Sequence, residues 1–151
     1  MTPAVDKSIQ QLLNDKLNAL EQHFQADILT YYGGIANGLE RDFLRIVEDI
    51  TDKKEKIYII LTTGGGSAIT VERFVKILRH YYQEVNFIVP NYAYSAGTIF
   101  CMSGDNILMD FFSVLGPIDP QVQNKDGNWV AALGYLDKVN EFIEKSQNGT
   151  L

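Results

Sequence analysis

Two short segments carry residues that could do chemistry together: Leu61-Thr62-Thr63-Gly64-Gly65-Gly66-Ser67-Ala68 and Tyr92-Ala93-Tyr94-Ser95-Ala96-Gly97-Thr98. Each lies where an apolar run that reads as a strand gives way to a run that reads as a helix. Three successive glycines leave backbone N–H groups unobstructed. A serine at a helix start sits beside unpaired N–H groups and the positive end of the helix dipole. A hydroxyl nucleophile next to N–H donors that stabilise a developing oxyanion is the equipment of acyl transfer.

Each segment also has a plainer reading. Gly64-Gly65-Gly66 could be only a tight strand-to-helix turn. A phosphate loop is disfavoured, because no G-x-x-x-x-G-K-[ST] pattern is present and Ile69 fills the last glycine position of G-x-G-x-x-G. Ser95-Ala96-Gly97 could merely let a helix pack closely on a sheet. The α/β-hydrolase elbow G-x-S-x-G is broken by Ala93, and both histidines, His23 and His80, precede Ser95, the wrong chain order for that fold.

The general base is the open position. His80 reads first as a cation at a helix C-terminus. Lys125, Lys138 and Lys145 read as surface residues, although a lysine desolvated beside a serine can take its proton. Asp119 is held in the stiff turn Gly116-Pro117-Ile118-Asp119-Pro120, as a turn former or a site residue. His80, Asp119 and Lys138 are therefore the candidates. No His, Cys, Asp and Glu cluster has metal-ligand spacing, so neither metal nor cofactor is expected.

Positioning these residues takes a series of alternating elements. Residues 4–24 read as a helix with Ile9, Leu12, Leu13, Leu17, Leu20 and Phe24 at helical spacing, and 26–32 as a strand closing on Gly33-Gly34. A second helix carries Leu39, Phe43, Ile46, Val47 and Ile50. Residues 56–61 form an apolar strand expected to be covered on both faces. A helix over 68–82, a strand over 85–89, a short helix over 95–103 and a strand over 107–109 follow. Residues 121–128 read as a polar loop, and Tyr135, Leu136, Val139, Phe142 and Ile143 as one side of a last helix. The order predicts an α/β fold with a mostly parallel sheet and flanking helices, its active groups at the strands' carboxyl ends. The division expected is an amino-terminal helix, 1–25, and one domain, 26–151.

The 151 residues are 46% apolar, enough for one core. The formal charge of −6 with scattered basic residues excludes a nucleic-acid surface. A lone Cys101 in an apolar run reads as core packing in a reducing compartment. No run is long enough to span a membrane and no secretion signal opens the chain, so a cytoplasmic location is expected.

Thr63-Gly64-Gly65-Gly66-Ser67-Ala68 resembles the glycine segment of the Clp-fold serine peptidases, and Tyr94-Ser95-Ala96-Gly97-Thr98 their nucleophile segment. The spacing from Gly66 to Ser95 (95 − 66 = 29) is that of the Clp protease proteolytic subunit. Gly104-Asp105-Asn106-Ile107-Leu108-Met109-Asp110 and Val114-Leu115-Gly116-Pro117-Ile118-Asp119-Pro120-Gln121 are similar to the serine dehydrogenase proteinase family, a relative of signal peptide peptidase A. The resemblance implies a Clp/crotonase-type fold and a serine endopeptidase with Ser95 as nucleophile and the N–H groups of Gly66 and Ala96 as oxyanion donors. A peptide or unfolded protein substrate would add as a strand along Gly65, Gly66, Ser67 and Ala68. It also implies homo-oligomers, to which the first helix and Phe111-Phe112 could contribute.

The chain departs from the pattern at the base. The Clp subunit's histidine would fall near Pro117, and the lysine segment of signal peptide peptidase A has only a faint likeness in Asn148-Gly149-Thr150-Leu151. A continuation past Leu151, and weak activity of this chain alone, are the corresponding expectations. Two other readings remain at this stage. One is a catalytically impaired pseudopeptidase or scaffold. The other is a crotonase-like acyl-CoA hydratase or isomerase, which no basic residue near the glycine loop supports.

Overall fold

A computed structural model of the chain describes residues 3–119, 121–127, 129–131 and 143. They fall into two compact units, Met1–Gly116 and Pro117–Leu151, a boundary inside the expected 26–151 domain.

The first unit opens with α1 (Pro3–Phe24). Proline opens it without cost, since a first-turn N–H has no intrahelical acceptor. Gln25 adopts a left-handed φ of 51° and turns the chain into β1 (Asp27–Tyr32). Then come α2 (Glu40–Asp49), β2 (Lys56–Thr62), α3 (Ala68–Tyr81), β3 (Glu84–Val89), β4 (Tyr92–Ala93), α4 (Ala96–Met102), β5 (Asn106–Met109) and β6 (Val114–Leu115).

Strands β1-β2-β3-β5 form a sheet in that order, and every neighbouring pair is parallel. Parallel neighbours require crossovers, which α2, α3 and α4 supply. All four carboxyl ends therefore share one edge. β2 departs from the expectation of two fully covered faces. Ile57, Ile59 and Leu61 are fully buried, whereas the alternate residues are half-buried. On that second face Tyr58 stacks on Phe24 of α1, with ring centroids 4.2 Å apart.

The core lies under α2, α3 and α4. Phe43 stacks on Phe74 at 4.0 Å, and the Phe100 ring meets Phe87 edge-on at 4.8 Å. Cys101 is wholly buried, and burial pushes its thiol up to about 12. The buried Asp27 carboxylate accepts the Tyr82 hydroxyl at 2.9 Å and the Lys54 N–H at 3.2 Å. Burial first, and that bond second, raise the Tyr82 hydroxyl far above its ordinary range. Phe111 and Phe112 follow β5 and stand exposed.

Two elements had no sequence signal. β4 and β6 pair in parallel as a separate two-stranded sheet, Tyr92 with Val114 and Ala93 with Leu115. In the second unit, the stretch expected as a polar loop holds an antiparallel hairpin, β7 (Gln121–Gln123) with β8 (Trp129–Ala131). Asn124 accepts the Asp126 N–H and Gly127 turns with φ 81°, which reverses the chain between strands too short to read by alternation. Of the expected last helix, only Ile143 falls among the described residues.

Removing the ring at the centre of the core should be costly. Phe74→Ala is expected to lower stability by about 3–5 kcal/mol, read as a shift in the urea midpoint at unchanged slope. A loss below about 1 kcal/mol would show that this ring is not central to the packing.

Candidate active site

The glycine loop leaves the carboxyl end of β2 and is held by three residues. Thr63, wholly buried at the strand's end, accepts the Gly65 N–H on its hydroxyl at 3.0 Å. Ile35 brackets the next residue: its N–H donates to the Gly65 carbonyl at 2.9 Å and its carbonyl accepts the Ser67 N–H at 2.8 Å. The Ser67 hydroxyl then caps α3 by accepting the Thr70 N–H at 3.2 Å. Between these ties Gly66 adopts φ 145°, where a β-carbon would overlap the Ile35 carbonyl.

The serine turn is built against this loop. Thr63 exchanges backbone hydrogen bonds with β4, its N–H donating to the Tyr92 carbonyl and its carbonyl accepting the Tyr94 N–H. The chain then reverses at Ser95, whose φ of 50° and ψ of −117° are strained for a residue with a side chain. Surrounding bonds hold that conformation. Gly97 N–H donates to the Tyr94 carbonyl at 2.8 Å and Thr98 N–H to the Ser95 carbonyl at 2.9 Å. The Thr98 hydroxyl lies 2.8 Å from the Ala93 carbonyl and 2.9 Å from that of Gly116, tying β4 to the end of β6.

Loop and turn meet at Gly65. A β-carbon there would fall 2.6 Å from the Tyr94 carbonyl oxygen, 2.9 Å from Ser95 Cβ and 3.3 Å from the Ala96 nitrogen. Its φ of 95° is also in the range that favours glycine. At Gly97 a β-carbon would overlap the Thr63 methyl. Ser95 is half-buried, and its hydroxyl does not cap α4. Among the described residues no hydrogen bond is formed by the Ser95 hydroxyl, the Gly66 N–H or the Ala96 N–H. The arrangement offers an unengaged hydroxyl on a strand-to-helix turn, with an unengaged backbone N–H at the following residue, Ala96, and another at Gly66, the residue after the glycine packed against the turn.

A model of the ClpP-like SDH-type serine proteinases matches residues 35–142. The chain belongs to this family. Two relatives from Methanocaldococcus jannaschii are similar to it: uncharacterized protein MJ1495, 33% identical over 73% of the chain, and uncharacterized protein MJ0137, 40% identical over 46% of it. The chain spans 36% of the length of the first and 24% of the second. Among solved structures, a mutant of the 1510-N membrane-bound stomatin-specific protease in complex with a substrate peptide overlays with a TM-score of 0.56. It is 25% identical and matches 69% of this chain and 50% of its own. The Clp-type fold expected from the two motifs is the one this chain has.

Several residues proposed for the site are placed differently from expectation. Gly65 and Ser67 have their N–H and carbonyl groups engaged by Thr63, Ile35 and Val71. In this loop the backbone N–H groups of Gly66 and Ala68 are left without a partner among the described residues. His80 is exposed near the carboxyl end of α3, about 18 Å along the helix axis from Ala68 at 1.5 Å per residue. The crossover carries it to the amino edge of the sheet, too far from Ser95 to take its proton. Asp119 is exposed in the second unit, and Lys138 lies outside the described residues. Thr63, Ile35 and Thr98 were not singled out by sequence, since nothing in their types announces long-range contacts. No group of His, Cys, Asp or Glu among the described residues could hold a metal, and no helix among them is long and apolar enough to cross a membrane.

The contact at Gly65 yields a graded test. Gly65→Ala should displace the serine turn and slow modification of Ser95 by a fluorophosphonate on the order of a hundredfold, as misplacement by about 1 Å does. Gly64→Ala, whose β-carbon meets nothing within 4 Å, should label at the unaltered rate. Equal labelling rates in the two variants would show that the contact does not position the serine.

Proposed function

We propose that this proteinase hydrolyses peptide bonds with Ser95 as nucleophile and the N–H groups of Gly66 and Ala96 as the oxyanion hole. The observation that carries the reading is the strained turn at Ser95, backed by a glycine that leaves no room for a side chain. Strain held by surrounding bonds at a strand-to-helix junction is the means by which a hydroxyl is presented to a substrate. An extended polypeptide would lie along Gly66, main chain to main chain, with its scissile carbonyl over Ser95. A base takes the hydroxyl proton as Ser95 Oγ attacks, and the carbonyl oxygen becomes an anion held by the two N–H donors. The proton passes to the departing amine, and water then releases the acyl group from Ser95.

For the base we propose Lys138. The histidines are at the amino edge of the sheet, and the stomatin-specific protease in complex with a substrate peptide is a lysine-to-alanine mutant, which supports a lysine for this chain. A neutral lysine beside a serine can act as its base. The substrate is a polypeptide with an extended stretch, and exposed Ile69 and Tyr94, next to the loop and the serine, favour apolar side chains on it.

A fluorophosphonate should modify Ser95, and Ser95→Ala should lose both labelling and peptidase activity. Lys138→Ala should slow labelling by roughly 10²–10⁴-fold, the usual worth of a positioned base. Labelling at another serine would overturn the assignment, and a folded protein that never labels would favour the impaired scaffold.

The oxyanion donor needs a gentler change than a side chain, since Gly66→Val would strike Ile35 and disturb the loop itself. Replacing Gly66 by glycolic acid through protein semisynthesis removes only the N–H. Turnover should fall by about 10²–10³-fold with little change in KM. Unchanged kcat would remove Gly66 from the hole.

A further inference from the structure

Residues 6–16 of α1 are exposed. Ile9, Leu12 and Leu13 are 41%, 59% and 57% exposed, and only from Leu17 onward does the helix begin to settle on the domain. The exposed residues are not scattered. Asp6, Ile9, Leu13, Lys16 and Leu20 follow one another at intervals of three, four, three and four, the spacing of a coiled-coil seam. Its four exposed residues, Asp6 to Lys16, have two apolar residues at the centre and one charge of each sign at the ends, and they run outward from Leu20, where the helix is half-buried.

That pattern is self-complementary in one register. If a second α1 runs antiparallel so that paired residue numbers add to 22, Ile9 meets Leu13, Leu13 meets Ile9, Asp6 meets Lys16 and Lys16 meets Asp6. Each layer then joins the two seam positions that face each other in antiparallel coiled coils. A parallel pair in register would instead stack Asp6 on Asp6 and Lys16 on Lys16, which like-charge repulsion opposes. Asp6 and Lys16 are both exposed, and among the described residues neither has a side-chain bond.

We propose that α1 is a dimerisation helix that pairs antiparallel with α1 of a second copy of this chain, through Ile9 and Leu13 with Asp6–Lys16 ion pairs at both ends. The two-fold axis lies level with Gln11. The pairing is separate from the peptidase reading and stands whether or not Ser95 is a nucleophile.

Cysteine cross-linking of the whole chain tests the register directly. Ile9→Cys and Leu13→Cys variants, mixed and oxidised, should give a disulfide-linked pair containing one of each, while each variant alone should give little. Buried Cys101, its thiol pushed up to about 12, does not compete. In sedimentation, Lys16→Asp should weaken the dimer by roughly tenfold or more, and the double variant Asp6→Lys, Lys16→Asp should restore it. A monomer at all concentrations, efficient linking of Ile9→Cys to itself, or a dimer indifferent to Lys16→Asp would each overturn the proposal. An unchanged urea unfolding midpoint and circular dichroism spectrum in these variants would show that their loss of pairing is not loss of fold.

Discussion

A hydrogen atom in place of a side chain at Gly65 decides how close the glycine loop can come to the serine turn. With the Gly65 α-carbon set against the Tyr94 carbonyl, Ser95 Cβ and the Ala96 nitrogen, the two segments share one surface. Everything around them keeps that contact in register. Thr63 ties the Gly65 N–H from one side and β4 from the other, Ile35 grips the loop before and after Gly66, and Thr98 anchors the turn to the carbonyls behind it. Holding Ser95 in its left-handed conformation costs about 1–3 kcal/mol. The bonds of Gly97 and Thr98 to Tyr94 and Ser95, and the packing of α4 through Phe100, offset it.

The sheet explains why these groups meet although they are 29 residues apart (95 − 66 = 29). Parallel strands put every carboxyl end on one edge, and each crossover helix returns the chain to the other edge before the next strand begins. The same geometry disposes of the histidines. His23 lies at the end of α1, just before β1 starts, and His80 near the end of α3, just before β3 starts, so both belong to the amino edge. The proposed mechanism therefore assigns the base to neither histidine.

What was legible in the sequence follows from the range of the interactions involved. α2, α3 and the buried strands are written in local periodicity, and Phe43, Phe74 and Leu78 occupy the core positions their spacing indicates. The serine turn and glycine loop were visible because three successive glycines exceed what one tight turn needs, and a serine opens a helix after the next strand. The positions of Ile35, Thr63 and Thr98 were not, since each acts through hydrogen bonds to segments 18 to 32 residues away that no local pattern records. The two-residue strands β4 and β6 are likewise too short for a period. The distinction between Gly65, which fits against the turn, and Gly66, whose N–H is unengaged, requires the backbone path itself.

In the proposed mechanism Ser95 and the N–H groups of Gly66 and Ala96 converge on one substrate carbonyl. The most direct measurement is the amide NMR spectrum of the protein before and after a peptide boronic acid forms its tetrahedral adduct. The expected result is an adduct on Ser95, with the Gly66 and Ala96 amide protons both moving strongly downfield as they bond to the boronate oxygen, and with the Gly64 amide little changed. An adduct that leaves the Gly66 and Ala96 amides where they were would contradict it.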